Sequence, residues 1–595
     1  MENDLSAEAI TKEDWKLLQK FNKKLDGEVM EFCVRCREKW FDMHLRQGIC
    51  AGCRYREEKQ KPEDPIFFST ENHLDFGDVP DFLPPLTQVE EQLIARVHVH
   101  VDVCLFRGQQ YKYKGHVINF LRDVGKICNQ LPLLPRDLDI IILRPANACN
   151  QPHVVRQFRR NFYVSQSKVR TWLQFLVQNH PGYRDIHINE ANLQQLPEGE
   201  NVIGQFPVQE IAPIDIQDEV DEEDQDQLDE PDVAGVPDFN SELAGIDQLR
   251  EQLAAQSQGR DHPEQPPLEV QPYLEMGDIR QTPLNEFNNT QALLSQAFPT
   301  LFPRGEGEFI LSRRSKINYS DYIRHAMKWH DGRFARHPRF RFVAFNTIMR
   351  QQINGKSTYF VHHTRQAPIT AEALRSAFEN QTDESRRLLN SIVRFSDGLR
   401  GTRPFWNGKR HELESHVYAL KCPSLFMTFS PADLHWDSLA RHMPRYEEWK
   451  TAPEPIRLRI SRENLRDYPH IAAYHFHSRF KHFRDTVIKP KFQVTDYWER
   501  KEWQSRGSPH SHGMYWTDAP LPFMETQAQR DEFARYWGYH VTAKNPEPTR
   551  VMQPDEENIL TTVHQGNEPP TFDTLSRLVN RVQRHGCGPA YCLRR

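Results

Sequence analysis

The 595-residue sequence lacks several kinds of segment, and each absence argues against a class of protein. No apolar run is long enough to cross a bilayer, so we expect no membrane-spanning segment. The N-terminus, Met-Glu-Asn-Asp-Leu, has neither a basic head nor an apolar stretch, which argues against a secretion signal. A phosphate-binding G-x4-G-K-S/T loop is also absent. Gly355-Lys-Ser357 comes closest, but Arg350 stands where the first glycine is required.

Cysteine is scarce, with 10 residues, and four of these form two C-x2-C pairs. Cys33 and Cys36 make the first pair, and Cys50 and Cys53 make the second, 13 residues further on. Four thiolates on two short turns can close a tetrahedron around Zn2+, whereas the alternatives are coincidence or a redox pair. Because the protein would fill all four positions, we predict a structural zinc site in a zinc-ribbon-like segment, residues 1–62.

Positive charge is missing from one long stretch. The 65 residues between Arg184 and Arg250 contain no Lys or Arg but 19 Asp and Glu. Heavy like charge with few aromatic residues leaves little to bury, so residues 196–285 are predicted to be a disordered acidic linker. Without those 19 acids the net charge of -6 becomes +13, which suits a polyanionic partner but also an ordinary solvated surface.

A chain of this length is expected to contain several domains, and its mixed helix and strand patterns predict the α+β class. Residues 85–195 are predicted to form an α/β region, in which alternation from Val97 to Val103 predicts a strand with His98 and His100 on its outer face. Residues 165–179 read as an amphipathic helix in the same region. We predict a third folded region over residues 286–595, with a strand at 424–430, a helix at 460–490 and a strand at 497–516.

Basic and aromatic residues alternate in the first part of that C-terminal region, where helices are predicted to break near Gly332 and Pro338. Arginine side chains interleaved with aromatic rings can bind single-stranded nucleic acid through charge and stacking. The candidates are Arg333, Arg336 and Arg339. The aromatic residues beside them fit a buried core equally well.

Two histidines two residues apart, His510 and His512, are the strongest chemical signal. Alternate side chains of a strand point to the same face, so both imidazoles can hold one divalent metal together with a carboxylate or an amide. Such a metal can polarise a phosphate for strand cleavage. A pair of surface histidines in a protein with 27 of them is the plain alternative.

Several strings occur together and in a fixed order, and the chain resembles a known family through them. They are Leu425-Phe-Met-Thr-Phe-Ser-Pro-Ala-Asp-Leu-His-Trp436, Arg462 to Asn464, Pro469 to Ala472, Arg479-Phe480 and Glu502-Trp-Gln-Ser-Arg-Gly-Ser-Pro-His-Ser-His512. Together they resemble the Helitron helicase-like domain, the Rep-type HUH endonuclease at the N-terminal side of Helitron transposases. Leu93 to Arg96, Arg107 to Gln109 and Phe298 to Pro303 resemble segments that precede that domain.

The resemblance implies a C-terminal antiparallel sheet of the HUH type, with helices, that acts on single-stranded DNA. It implies Mg2+ or Mn2+ bound by His510 and His512, with Gln504 or Glu502 as the third ligand and Arg506 beside the DNA. One departure is Ser511, where HUH proteins usually have a bulky apolar residue. A tyrosine would attack the polarised phosphate and form a 5′-phosphotyrosine link.

The resemblance also implies where that tyrosine should be. The nucleophilic tyrosines of the family lie on a helix well downstream of the histidines, so we expect them beyond Arg595. Tyr536 and Tyr539 are the weaker candidates within the sequence, since Gly538 disfavours a helix there. His585, Cys587 and Cys592 resemble part of the zinc knuckle that precedes this helix in the family.

Two functions follow from these patterns. The first is a Helitron-derived Rep-like protein that nicks and transfers strands in rolling-circle transposition, incomplete without the tyrosine helix and the helicase. The second is a non-catalytic nucleic-acid-binding module with a zinc ribbon and a vestigial metal site. For the first function we expect single-stranded DNA as partner, no membrane, and a helicase encoded downstream or in a separate protein. A nuclear location follows only from the DNA substrate, and the oligomeric state is open.

Overall fold

The computed structural model describes most of the chain outside the acidic stretch. The described residues are 4–61, 63–105, 111–121, 130–138, 142–145, 162–206, 208–211, 292–363, 398, 403–503, 509–518, 525–540, 544–551 and 568–582. Gln504, Arg506 and the predicted knuckle of His585, Cys587 and Cys592 lie outside these residues, as does most of the predicted linker. Helices and small sheets both occur, which confirms the α+β class.

The N-terminal segment begins with a helix and continues into a small hairpin. Thr11 caps the first helix, since its Oγ1 accepts a hydrogen bond from the backbone N–H of Asp14 at 3.2 Å. The elements are α1 (Lys12–Asp26), β1 (Met30–Phe32), β2 (Lys39–Phe41) and α2 (Ala51–Lys59). Strands β1 and β2 pair antiparallel, with Phe32 opposite Lys39, so the first cysteine pair lies in the connection between them.

The next elements surround a core of their own. Thr87 and Glu90 form a capping box at the start of α3, in which the side chain of each accepts from the backbone N–H of the other. The elements are α3 (Gln88–Ile94), β3 (Val97–Leu105), β4 (Tyr111–Leu121), β5 (Gln130–Leu131), β6 (Ile142–Pro145), β7 (Tyr163–Ser165), α4 (Gln166–Asn179), β8 (His187–Ile188), α5 (Glu190–Gln195), β9 (Glu198–Asn201) and β10 (Val208–Ile211). The predicted helix and strand are confirmed in α4 and β3.

Two details of this region differ from expectation. His98 is buried rather than outward-facing, because residues 293–297 pack against β3. Residues 196–211 do not behave as a linker throughout: β9 pairs with β7, and β10 pairs with β6. Backbone pairing therefore continues past the predicted boundary at residue 195, even though no basic residue occurs in that stretch.

The C-terminal part is mainly helical around one three-stranded sheet. Its elements are α6 (Leu293–Ala297), α7 (Tyr319–Met327), α8 (Arg333–Arg336), α9 (Phe340–His363), α10 (Arg403–Leu420), β11 (Leu425–Phe429), α11 (Asp437–Ala440), α12 (Tyr446–Thr451), α13 (Glu454–Asp467), α14 (Pro469–Phe483), α15 (Lys489–Phe492), β12 (Val494–Trp503), β13 (Pro509–Thr517), α16 (Gln527–His540) and α17 (Phe572–Val582). A single π turn, Arg484–Ile488, joins α14 to α15. None of the described helices is long and apolar enough to cross a membrane.

The sheet confirms one predicted strand and corrects two elements. The predicted strand at 424–430 is present as β11, although it lies at the sheet edge and exposes Phe426. The predicted helix at 460–490 is divided at Tyr468, where Pro469 begins a new helix. The predicted single strand at 497–516 is two antiparallel strands, β12 and β13, with β13 in the centre of the sheet.

A shared core joins the two sides of the acidic stretch. Leu74, Phe76 and Val97 pack with aromatic and aliphatic residues of α6, α7, α8 and α9. The predicted breaks near Gly332 and Pro338 are present, since α7, α8 and α9 are separate helices. Burial of these rings against one another stabilises contact between parts of the sequence more than 200 residues apart.

Glu91 on α3 supplies the polar contact across the same boundary. It is 2% exposed, and its Oε2 lies 2.8 Å from Nε2 of His337 and 2.8 Å from a guanidinium nitrogen of Arg339. Thr300 donates to the other carboxylate oxygen. Burial alone would raise the pKa of Glu91, but the charge and hydrogen bond of His337, together with Arg339, outweigh it and hold that pKa at about 2.

Replacing Glu91 with Ala should lower the free energy of unfolding by about 3–5 kcal/mol, because Arg339 would be left buried without its carboxylate. The pKa of Glu91 is depressed on folding, so its contribution is present above the unfolded pKa of about 4.3 and is lost as the pH falls towards 2. Urea titrations at several pH values measure both effects. Glu412→Ala, which breaks an exposed ion pair with Lys409, is the control and should cost less than about 1 kcal/mol. Equal losses in the two variants would contradict this account.

Candidate metal centres

Antiparallel pairing of β12 with β13 brings a carboxylate to the two histidines. Glu502 stands directly opposite His510, and Arg500 stands opposite His512. Residues directly opposite in an antiparallel pair project from the same face, as do alternate residues along one strand. Glu502, His510 and His512 therefore share one face of the sheet, which we call the histidine face.

The donor atoms of these three residues converge. The Nε2 atoms of His510 and His512 are 2.8 Å apart, and Oε2 of Glu502 lies 3.7 Å and 3.6 Å from them, respectively. Two ligand atoms about 2.1 Å from one ion are separated by about 3.0–3.4 Å at angles between 90° and the tetrahedral value. The three donors thus fit one divalent cation, and the set of two imidazoles and one carboxylate suits a metal that accepts both nitrogen and oxygen.

Neighbouring side chains orient two of the three donors. Oγ1 of Thr428 on β11 lies 2.9 Å from Nδ1 of His512, so a proton on Nδ1 is held there and Nε2 keeps its lone pair for a metal. The guanidinium of Arg500 lies 2.7 Å from Oε1 of Glu502, the oxygen that faces away from the histidines. Arg500 itself stacks on Trp406 of α10, with the guanidinium carbon 4.7 Å from the ring centroid.

Of the three donor side chains, that of His512 is the most exposed to solvent. The side chains of Glu502 and His510 are 12% and 5% exposed, whereas that of His512 is 30% exposed. Phe426, which is 63% exposed, stacks on the imidazole of His512 with an interplanar angle of 7°. His512 and Phe426 are therefore solvent-exposed residues of the histidine face.

The four cysteines of the N-terminal segment form a second candidate centre, which we call the four-cysteine cluster. All four are buried, and the Sγ–Sγ distances are 4.0 Å for Cys33–Cys53 and 3.9 Å for Cys36–Cys50. Four sulfurs about 2.3 Å from one tetrahedral ion lie about 3.8 Å apart, so the cluster has the right size for Zn2+. The first pair is in the β1–β2 turn, and the second begins α2, with Cys50 as its N-cap.

Backbone groups around the cluster are arranged for thiolates. The N–H groups of Cys50 and Cys53 donate to Sγ of Cys33 and Cys50 at 3.2 Å and 3.4 Å. The hydrogen bond between Cys36 and Cys50 raises the pKa of the Cys36 thiol and lowers the pKa of the Cys50 thiol to about 2. A bound cation would stabilise thiolates on all four residues.

Comparison with known proteins finds two matching families. Residues 322–515 match the model described as "Helitron helicase-like domain at N-terminus". The resemblance to Helitron proteins is confirmed over these residues. Residues 61–194 match a second model, described as "Domain of unknown function (DUF6570)". No curated protein and no solved structure matches the chain.

We call residues 322–515 the Helitron-like region. It contains Glu502, His510, His512, Thr428 and Arg500. Ser511, which departs from the usual HUH pattern, is fully buried on the face of the sheet opposite to the histidine face. The sequence motif identified the histidines and proposed Glu502 as one of two third ligands. Thr428 was missed, although it stands two residues after Phe426 in the first Helitron-like string.

The tyrosine candidates lie beyond the Helitron-like region, on α16, and are not brought to the histidines. Trp537 of α16 stacks on Phe492, within a cluster that includes Tyr515 on the opposite face of the sheet. Tyr539 donates to Oδ2 of Asp14 on α1 at 2.9 Å. Burial raises the pKa of Tyr539, and the bond to Asp14 raises it further, which also disfavours a phenolate nucleophile.

The arginines proposed to bind DNA have mostly structural surroundings. Arg333 is 7% exposed and donates to the backbone carbonyls of Leu301, Phe76 and Gly77. Arg339 is 5% exposed and pairs with Glu91. These two guanidinium groups are buried, since the aromatic residues around them form the shared core. Their burial does not fit a contact with DNA. Arg336 is exposed, with one guanidinium nitrogen 3.2 Å from the hydroxyl of Tyr468.

Cys36→Ser should reduce the zinc content of the purified chain by about one equivalent, because one of four thiolates would be lost. Cobalt substitution should show the same loss through the thiolate-to-cobalt charge-transfer band. Cys422→Ser removes an exposed cysteine outside the cluster and should leave both signals unchanged. Equal zinc and equal cobalt absorbance in Cys36→Ser and the parent would count against a zinc site in the four-cysteine cluster.

Proposed function

We propose that the chain is a Helitron-derived Rep-like protein that binds single-stranded DNA and holds Mg2+ or Mn2+ between Glu502, His510 and His512. The convergence of these three donors across the β12–β13 pair carries the proposal. The match to the Helitron helicase-like family over residues 322–515 supports it. When bound, the cation would polarise a phosphate oxygen and so favour attack at phosphorus.

The chain's own residues have distinct tasks in this proposal. Thr428 and Arg500 orient His512 and Glu502, so the donors are held in place before DNA arrives. His512 and Phe426 define the open side, where a nucleotide can place its phosphate by the cation and its base on the phenyl ring. Stacking on an exposed ring is tolerant of base identity, which suits a single strand of varied sequence.

The covalent step requires a tyrosine hydroxyl. It would attack phosphorus, lose its proton and release the 3′-hydroxyl, which leaves the 5′-phosphate esterified to the tyrosine. The helix that carries Tyr536 and Tyr539 packs through Trp537 in the cluster on the other face of the sheet, and Tyr539 is bonded to Asp14, so we place the nucleophile outside the described residues. By resemblance to the Helitron family, the proposal also includes nicking, strand transfer, a helicase partner and a nuclear location.

Mn2+ should strengthen binding of a labelled single-stranded oligonucleotide to the chain, and His510→Ala/His512→Ala should abolish that effect, because two of three ligands would be lost. Fluorescence anisotropy with and without added Mn2+ measures it. The control is His411→Gln, which changes an exposed histidine on α10. Affinity indifferent to Mn2+ in the parent would overturn the metal site and leave a nucleic-acid-binding module.

The same samples can be tested for a covalent protein–DNA adduct. Any adduct should disappear in His510→Ala/His512→Ala and persist in Tyr536→Phe/Tyr539→Phe, because the helix that carries the tyrosines packs through Trp537 in the cluster on the opposite face of the sheet. Loss of the adduct in the tyrosine variant would overturn the placement of the nucleophile. An adduct that survives loss of both histidines would overturn their role in cleavage.

Phe426→Ala should weaken single-stranded DNA binding about 5- to 150-fold, the range expected when one base loses about 1–3 kcal/mol of stacking. Mn2+ binding should be preserved, since Phe426 supplies no ligand. Phe82→Ala provides the control, because Phe82 is similarly exposed but lies outside the Helitron-like region. Unchanged affinity in Phe426→Ala would refute stacking at this position.

A further inference from the structure

A third group of metal-type side chains lies away from both centres described above. Glu28 belongs to the connection between α1 and β1, His442 follows α11, and His475 lies on α14. Glu28 and His475 are 5% and 0% exposed. One ligand atom from each of the three lies within 4.8 Å of the others.

One ligand atom of each residue has no hydrogen-bond partner among the described residues. These atoms are Oε2 of Glu28, Nε2 of His442 and Nδ1 of His475, and all three are buried. Oε2 of Glu28 and Nδ1 of His475 are 3.7 Å apart, too far for a hydrogen bond. A buried polar atom without a partner costs about 1–3 kcal/mol, so three at one point indicate a missing common partner.

The outer atoms of the group are, by contrast, well bonded. Nε2 of His475 lies 3.1 Å from Oγ of Ser438, which also accepts from Arg479 at 3.0 Å. With its Nε2 proton donated to Ser438, His475 directs the lone pair of Nδ1 towards Glu28. The second oxygen of Glu28 accepts from Ser478 and lies 3.1 Å from Nε2 of His482. Such outer hydrogen bonds are the usual means of orienting metal ligands.

Burial also sets the protonation of the group. It raises the pKa of Glu28, and it lowers the pKa of His475 and brings that of His442 to about 4. Neutral imidazoles are the form that binds metals. The carboxyl group can reach a stable state in two ways, by taking up a proton or by binding a cation between itself and the two imidazoles.

We propose that Glu28, His442 and His475 bind one Zn2+, with a fourth position left for solvent or another small ligand. Two imidazole nitrogens and one carboxylate oxygen are a common ligand set for this ion. The cation is then a shared partner for one lone pair from each of the three residues. A proton on one carboxylate oxygen of Glu28 would not be a partner for both histidines. This site is separate from the four-cysteine cluster and from the histidine face.

The site would join the N-terminal segment to the Helitron-like region. Phe41 of β2 already packs against Leu439, Met443 and Ile471 of that region. Phe21 and Leu25 of α1 pack against Val487 on the π turn after α14. Glu28 lies between α1 and β1, so a cation bound to it and to His442 and His475 would fix the segment at the middle of this interface.

Metal content of the full chain tests the proposal. All variants carry His510→Ala/His512→Ala, so the histidine face cannot contribute to the zinc content. Failure of the proposed DNA function is therefore distinguishable from failure of this site. His442→Gln and His475→Gln should each lower zinc content by about one equivalent per chain and lower the melting temperature. In cobalt-substituted samples the thiolate charge-transfer band of the four-cysteine cluster should persist while the weaker bands of nitrogen- and oxygen-bound cobalt disappear. Zinc content equal to the parent in both variants would overturn the site.

Glu28→Gln separates the cation from the proton. Glutamine resembles a protonated carboxyl group, so a protonated Glu28 predicts unchanged zinc content and unchanged or higher melting temperature. The proposal instead predicts zinc affinity lower by about tenfold or more, measured by competition with a chromophoric chelator. If the His442 and His475 variants fail to fold, the parent with His510→Ala/His512→Ala alone can be titrated with cobalt. That titration still tests whether the site binds a metal. A spectrum with thiolate-bound cobalt alone would exclude this site.

Discussion

The position of β13 between β11 and β12 is the constraint on which the candidate DNA site depends. Because side chains alternate along a strand, the pairing of Glu502 with His510 assigns every neighbouring residue to one of two faces. One face carries the three metal-type donors and the exposed Phe426. The other face carries Tyr515 and packs on α14 and α15. A shift of pairing by one residue would bury the histidines in that core and expose Tyr515, so the apolar packing of one face fixes the chemistry of the other.

Sequence patterns predicted those parts of the sheet and its surroundings that depend on residues close together in the sequence. The β11 strand, the helix breaks near Gly332 and Pro338, and the shared face of His510 and His512 follow from periodicity and from turn residues. Sequence patterns did not predict which residue is the third ligand, because that depends on the pairing of β12 with β13 and on its register. Thr428 reaches His512 only through pairing of β11 with β13, strands separated by about 80 residues, and no local pattern reports such a contact.

The alternation of basic and aromatic residues did not decide between DNA contact and a buried core, for a related reason. Arg333 and Arg339 stand beside phenylalanines, a pattern that fits both a nucleic-acid surface and a core with paired guanidinium groups. The partners that decide between these readings are backbone carbonyls near residue 76 and the carboxylate of Glu91, both far away in sequence. The N-terminal cysteine segment was likewise predicted as a separate unit from its spacing alone. Its backbone is bonded to α7 and its neighbours, for example from the N–H of Lys39 to the carbonyl of Lys328 at 2.9 Å.

The shared core of Leu74, Phe76 and Val97 with the α6–α9 helices has a consequence for the integrity of the protein. The two sides of the acidic stretch are held by buried rings and by the Glu91 network, not only by the peptide chain between Ile211 and Ala292. A protease cut within that interval would therefore yield two fragments that migrate apart under denaturing conditions but elute together as one particle from a native sizing column.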